Sequence, residues 1–142
     1  KATKALVDSG VNLLLVPLDA TNDLPVSWDF LRQLAVNNTP VSDLSGQFWA
    51  STVTSIPSYE FTYFLWDILS TCILALPEDK LRIETGQVAV STTTPNAGHT
   101  YLCGKSGSSI SWVASVDADY VREMVIHYLS GDFCQSPVPF VK

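Results

Sequence analysis

The most apolar stretch of the chain runs from Tyr63 to Leu76 and closes on Pro77-Glu78, with a single charge, Asp67, inside it. Its composition predicts a helix reaching about Leu76. Upstream, Ala2 to Asp8 reads as the end of a helix stopped at Gly10. Val11-Asn12-Leu13-Leu14-Leu15-Val16 is a short continuous apolar run, the pattern of a strand covered on both faces, as in a parallel sheet. Pro17 closes it, and Leu18 to Asp23 reads as a polar loop. A loop beyond the carboxyl end of a strand lies where open α/β sheets bind ligands, although each of its residues taken singly suits a solvated turn better. Pro25 and Ser27 open a helix through Trp28, Leu31, Leu34 and Ala35 that ends at Asn37-Asn38. A further helix is predicted from Val41 to Val53, with Phe48 and Trp49 in the core and Tyr59, Phe61 and Tyr63 packing beyond it.

After Glu78 the pattern shifts to alternation. Leu81–Thr85 and Val88–Thr93 read as a hairpin or two short strands around Gly86-Gln87. Thr92 to Ser109, rich in Thr, Ser, Gly, Pro and Asn, reads as a long surface loop. Ile110, Trp112, Ala114 and Val116 mark a strand. Asp117 caps a helix whose apolar face is Val121, Met124, Val125, Tyr128 and Leu129, ended by Gly131. Ser136-Pro137-Val138-Pro139 cannot continue it and reads as an extended tail. No repeat or second domain is visible, so the chain is one α/β unit.

Composition narrows the function. The 142 residues are the size of one domain, and 46% apolar with 15% charged residues excludes a disordered chain. A net charge of −6 argues against nucleic acid as a partner, and no run is long enough to predict a transmembrane segment. Lys1 is not an initiator methionine, which suggests a processed chain or a fragment. Three cysteines, Cys72, Cys103 and Cys134, leave one unpaired. Cys103 and Cys134 lie in loop-like segments and are the expected disulfide, whereas Cys72 reads as core. With the Asn37-Asn38-Thr39 sequon, they point to a secreted or secretory glycoprotein.

Candidate chemistry is thin. No Cys/His set has zinc spacing, no Gly-x-Ser-x-Gly elbow exists, and Gly104 to Gly107 lacks the first glycine of a phosphate loop. His99 reads as a surface loop residue, and Asp117 with Asp119 as capping carboxylates. Asp67 is the exception, because a carboxylate in an apolar run needs compensating donors or a cation. Either it caps its helix or it faces a polar pocket and holds a cation.

Several stretches together resemble the second half of the inosine–uridine-preferring nucleoside hydrolase family. Val16-Pro17-Leu18-Asp19-Ala20-Thr21-Asn22 is similar to the family's Val-Pro-Leu-Asp-Val-Thr segment. Phe64-Leu65-Trp66-Asp67-Ile68-Leu69 through Pro77-Glu78 resembles its His-Asp-Pro-Leu-Ala segment. Ile83-Glu84-Thr85-Gly86 and Val113-Ala114-Ser115-Val116-Asp117 resemble later strands, in the same order. The resemblance implies an open, mostly parallel sheet with flanking helices, residues 1–142 being the carboxy-terminal part of one nucleoside hydrolase-like domain. It further implies cleavage of the N-glycosidic bond of a ribonucleoside to ribose and free base. A calcium ion would hold the sugar hydroxyls and the attacking water, with Asp67 a metal ligand and Trp66 a substrate contact.

Two departures bear on activity. Trp66 stands where the family often has a histidine that helps the base depart, and an indole N–H donates but does not transfer a proton near neutral pH. The family's amino-terminal aspartate cluster is absent; Val116-Asp117-Ala118-Asp119 mimics only its opening. The chain is therefore expected to need an amino-terminal part, or a processed partner chain, to act on a nucleoside. The alternative is a catalytically inactive binding or structural subunit. A homo-oligomer stays open in both readings.

Overall fold

The computed structural model describes residues 1–55 and 62–131. Its strands are β1 (Leu14–Leu15), β2 (Leu81–Val90), β3 (Thr100–Leu102) and β4 (Ser108–Val116), forming one open sheet in the order β1-β4-β2-β3. Six α-helices flank it: α1 (Ala2–Val7), α2 (Leu18–Thr21), α3 (Trp28–Asn37), α4 (Pro40–Ser55), α5 (Trp66–Cys72) and α6 (Ala118–Leu129). β1 runs parallel to β4, while β2 is antiparallel to both β4 and β3. The expected open α/β sheet with flanking helices is present, and this part of it is mixed. Among the described residues no helix is long and apolar enough to cross a membrane.

The predicted strand Val11–Val16 shortens to Leu14–Leu15. β1 has a neighbour on one side only, and Val11 and Leu14 are about half exposed, so the described residues give the run neither a second partner strand nor two-sided cover. The expected hairpin at Gly86-Gln87 is instead one continuous strand, β2, in which Gly86 pairs with Ile110. A Cβ on Gly86 would lie 3.1 Å from Cη2 of Trp112. The glycine makes room for a ring from the next strand and does not turn the chain. The reversal comes later: Ser91 N–H donates to His99 O (2.9 Å), and Gly98, at φ +98°, donates to Ser91 O (2.8 Å). The stretch read as one long loop thus contains strand β3.

Helix starts follow their caps. Ser27 Oγ accepts from Phe30 N–H at 3.2 Å, and Asp117 Oδ1 from Tyr120 N–H at 3.1 Å. The polar segment after Pro17 winds into the single turn α2, which buries Ala20 and Thr21. α5 stops at Cys72, short of the expected Leu76, as Ile73 to Ala75 form a turn.

The main core lies on one face of the sheet, where Val113 meets Phe30, Leu34, Leu65, Leu69 and Val121. Trp49 joins it, its ring 5.4 Å from that of Phe30, but Phe48 does not and is exposed, contrary to expectation. Cys72 is core as expected, and burial pushes its thiol up to about 11. Alkylation of Cys72 in the folded protein at pH 7.5 should therefore be far slower than after denaturation, which timed labelling and peptide mapping would read. Cys103 carries a free thiol whose Sγ lies 3.7 Å from Gln87 O. The expected bridge to Cys134 is not formed at this end; Cys134, like Tyr59, Phe61 and the tail, lies outside the described residues. Asn37, the sequon asparagine, donates its amide to Ile126 O at 3.3 Å, which ties α3 to α6.

Lys80 Nζ lies 2.8 Å from Asp117 Oδ2, joining the start of β2 to the cap of α6. The Lys80 hydrogen bond, with that from Tyr120 N–H, holds the Asp117 carboxyl below its usual value, and Asp117 raises Lys80 in turn. A lowered carboxyl contributes stability that is complete above the unfolded pKa of about 3.9 and is lost as pH falls through the folded value. Asp117→Asn should therefore flatten the acid limb of a stability–pH curve below about pH 4, where wild type keeps declining. Denaturant midpoints at several pH values read this; parallel acid limbs would remove the pair from the account.

Candidate functional site

Residues 63–65 are pinned before α5 begins. Val26 N–H donates to Tyr63 O at 2.8 Å, and Leu65 N–H to Leu24 O at 3.0 Å, with Leu24 and Leu65 both fully buried. This short antiparallel contact fixes where the helix starts relative to α2 and α3. The N-cap of α5 is Leu65, whose side chain makes no capping bond. Asp67 is thus the second residue of the helix, and the capping role open to it in the sequence is not the one it has. Its side chain is exposed, and no described residue pairs with its carboxylate. The helix dipole favours a negative charge in this first turn. Leu69 and Cys72, on the other side of the helix, are buried, so Asp67 points away from the core.

Asp67 and Trp66 line one cavity of about 550 Å³. Its walls are Tyr63, Phe64 and Ile68 on the α5 side and Leu44, Ser45, Phe48 and Trp49 from α4. The Trp66 ring lies 4.9 Å from that of Tyr63, edge-on, and 5.9 Å from that of Phe64. Its Nε1–H is buried and finds no acceptor among the described residues. An unpaired buried donor costs about 1–3 kcal/mol. The site therefore offers aromatic faces for a planar ring and one carboxylate for hydroxyls or a cation.

The contribution of α4 was not anticipated. Val41, Leu44 and Phe48 recur at helical spacing, a signal visible in the sequence, yet they form an exposed stripe beside the buried Trp49. The loop residue Asp19 is not brought to Asp67. It borders a different groove with Leu15, Glu84 and Trp112. His99 stacks on Tyr101 with ring centroids 6.4 Å apart, and Asp119 pairs with Arg122, so neither belongs to the site.

Metal fit is decided by donor count. Among the described residues no three His, Cys, Asp or Glu side chains cluster as a metal site would need. Ca²⁺ takes six to eight oxygens. Asp67 could supply one oxygen to such an ion, and the described residues cannot make a site alone.

Neither a family model nor a curated protein sequence matches the chain. Solved structures do. An inosine–uridine preferring nucleoside hydrolase from Bacillus anthracis superposes with a TM-score of 0.74 at 25% identity, covering 91% of this chain and 40% of its own. A purine-preferring ribonucleoside hydrolase from Gardnerella vaginalis gives 0.72 at 17% identity, with 92% and 43% covered. A plant nucleoside hydrolase gives 0.72 at 15%, with 92% and 45% covered. The resemblance read from the motifs is thus met in three dimensions, and the chain spans less than half the length of each of these structures.

Proposed function

We propose that this chain, which carries part of the nucleoside hydrolase fold, belongs to a calcium-dependent ribonucleoside hydrolase whose site is completed by an amino-terminal part. The observation that carries the reading is the start of α5, which presents Trp66 and Asp67, unpaired among the described residues, to one aromatic cavity. When bound, calcium would orient the ribose hydroxyls and lower the pKa of the attacking water. Asp67 would hold one position on the ion. Tyr63, Phe64 and Trp66 would keep bulk water from one side of the base and pack on it. The Trp66 indole cannot protonate the base, so departure of the base relies on a donor elsewhere or on an anionic leaving group.

The test is release of reducing sugar from a panel of ribonucleosides by the complete protein, with calcium and after chelation. Hydrolysis with calcium that stops on chelation is expected. The second reading, an inactive binding or structural subunit, is favoured by Asp67 being the one carboxylate among the described residues that line the site. Nucleoside binding without ribose release in that assay would select it.

A further inference from the structure

β3 is an outer strand of the sheet, with β2 on one side and no described strand on the other. Its hydrogen bonds show which backbone groups are left over. Ser91 N–H donates to His99 O and Cys103 N–H to Gln87 O, both at 2.9 Å, so His99 and Cys103 turn their backbone toward β2. An antiparallel ladder alternates, which adds Tyr101 to that set through its register partner Ala89. Thr100 and Leu102 therefore direct N–H and C=O outward from the sheet edge, where no described residue engages them. Natural edge strands are usually guarded by charged side chains, proline or a bulge. β3 has none of these: Thr-Tyr-Leu is uncharged, and Tyr101 is 45% exposed. Its surroundings are equally bare of charge. Between Glu84 and Asp117 the only charged side chain is Lys105, on a chain of formal net charge −6.

We infer that β3 pairs antiparallel with β3 of a second copy of this chain, about a two-fold axis at Tyr101, joining the two sheets edge to edge. The two-fold sets Thr100 opposite Leu102 of the partner subunit, and Leu102 opposite Thr100 of the partner subunit. Each of these pairs exchanges two N–H···O bonds, so every outward group of Thr100 and Leu102 is satisfied. Tyr101 then meets Tyr101 of the partner subunit at a non-hydrogen-bonded position, where side chains approach most closely. His99 lies parallel to the Tyr101 ring, with centroids 6.4 Å apart, and supports it there. In this register Lys105 falls opposite Ala97 of the partner subunit, so no like charges meet. Two features select a second copy over another strand. The edge is complementary to itself, and the acidic side chains that keep copies of this chain apart elsewhere are missing around it. Further parallel strands of the fold would join at β1, where the parallel pairing is, at the far edge of the sheet.

The pairing depends on neither calcium nor catalysis, so it and the proposed activity can fail separately. In the complete protein, Tyr101→Cys under mild oxidation should give a covalent dimer whose peptide map shows position 101 joined to itself, because this two-fold brings the two thiols within bonding reach. Leu102→Pro removes an outward N–H and spares the ladder to β2. It should weaken dimerisation at least tenfold in a sedimentation concentration series. Wild type that stays monomeric throughout the series, a Tyr101→Cys variant without the 101–101 disulfide, or a Leu102→Pro dimer as tight as wild type overturns the inference. Should Leu102→Pro fail to fold, Tyr101→Lys replaces it, since it sets like charges opposite each other across the axis. The same tenfold weakening is expected of it, and an unchanged dimer overturns the inference.

Discussion

Asp67→Ala in the complete protein is expected to lower ribonucleoside hydrolysis by about a thousandfold or more. A catalytic metal contributes several kcal/mol to the transition state, and each 1.4 kcal/mol is about a factor of ten in rate. The fold should hardly notice. Asp67 is exposed, makes no side-chain capping bond and pairs with no described residue, so its loss should change stability by about 0.5 kcal/mol or less. A true N-cap would instead cost about 0.5–2 kcal/mol with activity largely kept. Steady-state assays beside denaturant titrations of the same samples distinguish the two. Trp66→Phe is a useful companion: it keeps an aromatic face and removes the orphaned N–H. Little loss of stability with substrate binding unchanged would show that the ring face, and not that N–H, meets the substrate.

Phe30→Ala is expected to have the largest effect on the fold, a loss of about 3–5 kcal/mol. Phe30 is 2% exposed and lies between Trp49 of α4 and the sheet-facing side chains of the main core. Removing the ring leaves a cavity bounded by elements that cannot close without shifting α3 against α4. Phe48→Ala, one residue before Trp49 in the sequence, should cost less than about 1 kcal/mol because Phe48 is already exposed. Paired thermal or denaturant melts read the contrast. Equal losses would mean that α4 is rotated relative to the structure described.

The sequence made the helix starts legible because a cap is a local event. Ser27 and Asp117 each meet an N–H three residues on, whatever the rest of the chain does. Gly86 was misleading for the converse reason: its role depends on Trp112, 26 positions away and adjacent only once β2 and β4 pair. Phe48 and Trp49 are neighbours with opposite fates, since a helix turns them to different faces and apolarity alone does not say which is buried. Asp67 stood out at once as a lone charge in an apolar run. What could not be read was that Leu65, and not Asp67, opens the helix; that follows from the pinning of Tyr63 and Leu65 to residues 24–26. That the Trp66 N–H meets no acceptor among the described residues is likewise a property of packing, invisible until the rings around it are in place.

The most direct test is calorimetric titration of calcium into the complete protein and into its Asp67→Ala variant. If Asp67 is one of the ion's ligands, wild type binds calcium and the variant binds it at least tenfold more weakly while melting at nearly the same temperature. Equal affinity in the two proteins, or no calcium binding by wild type, would contradict the assignment and favour the inactive-subunit reading.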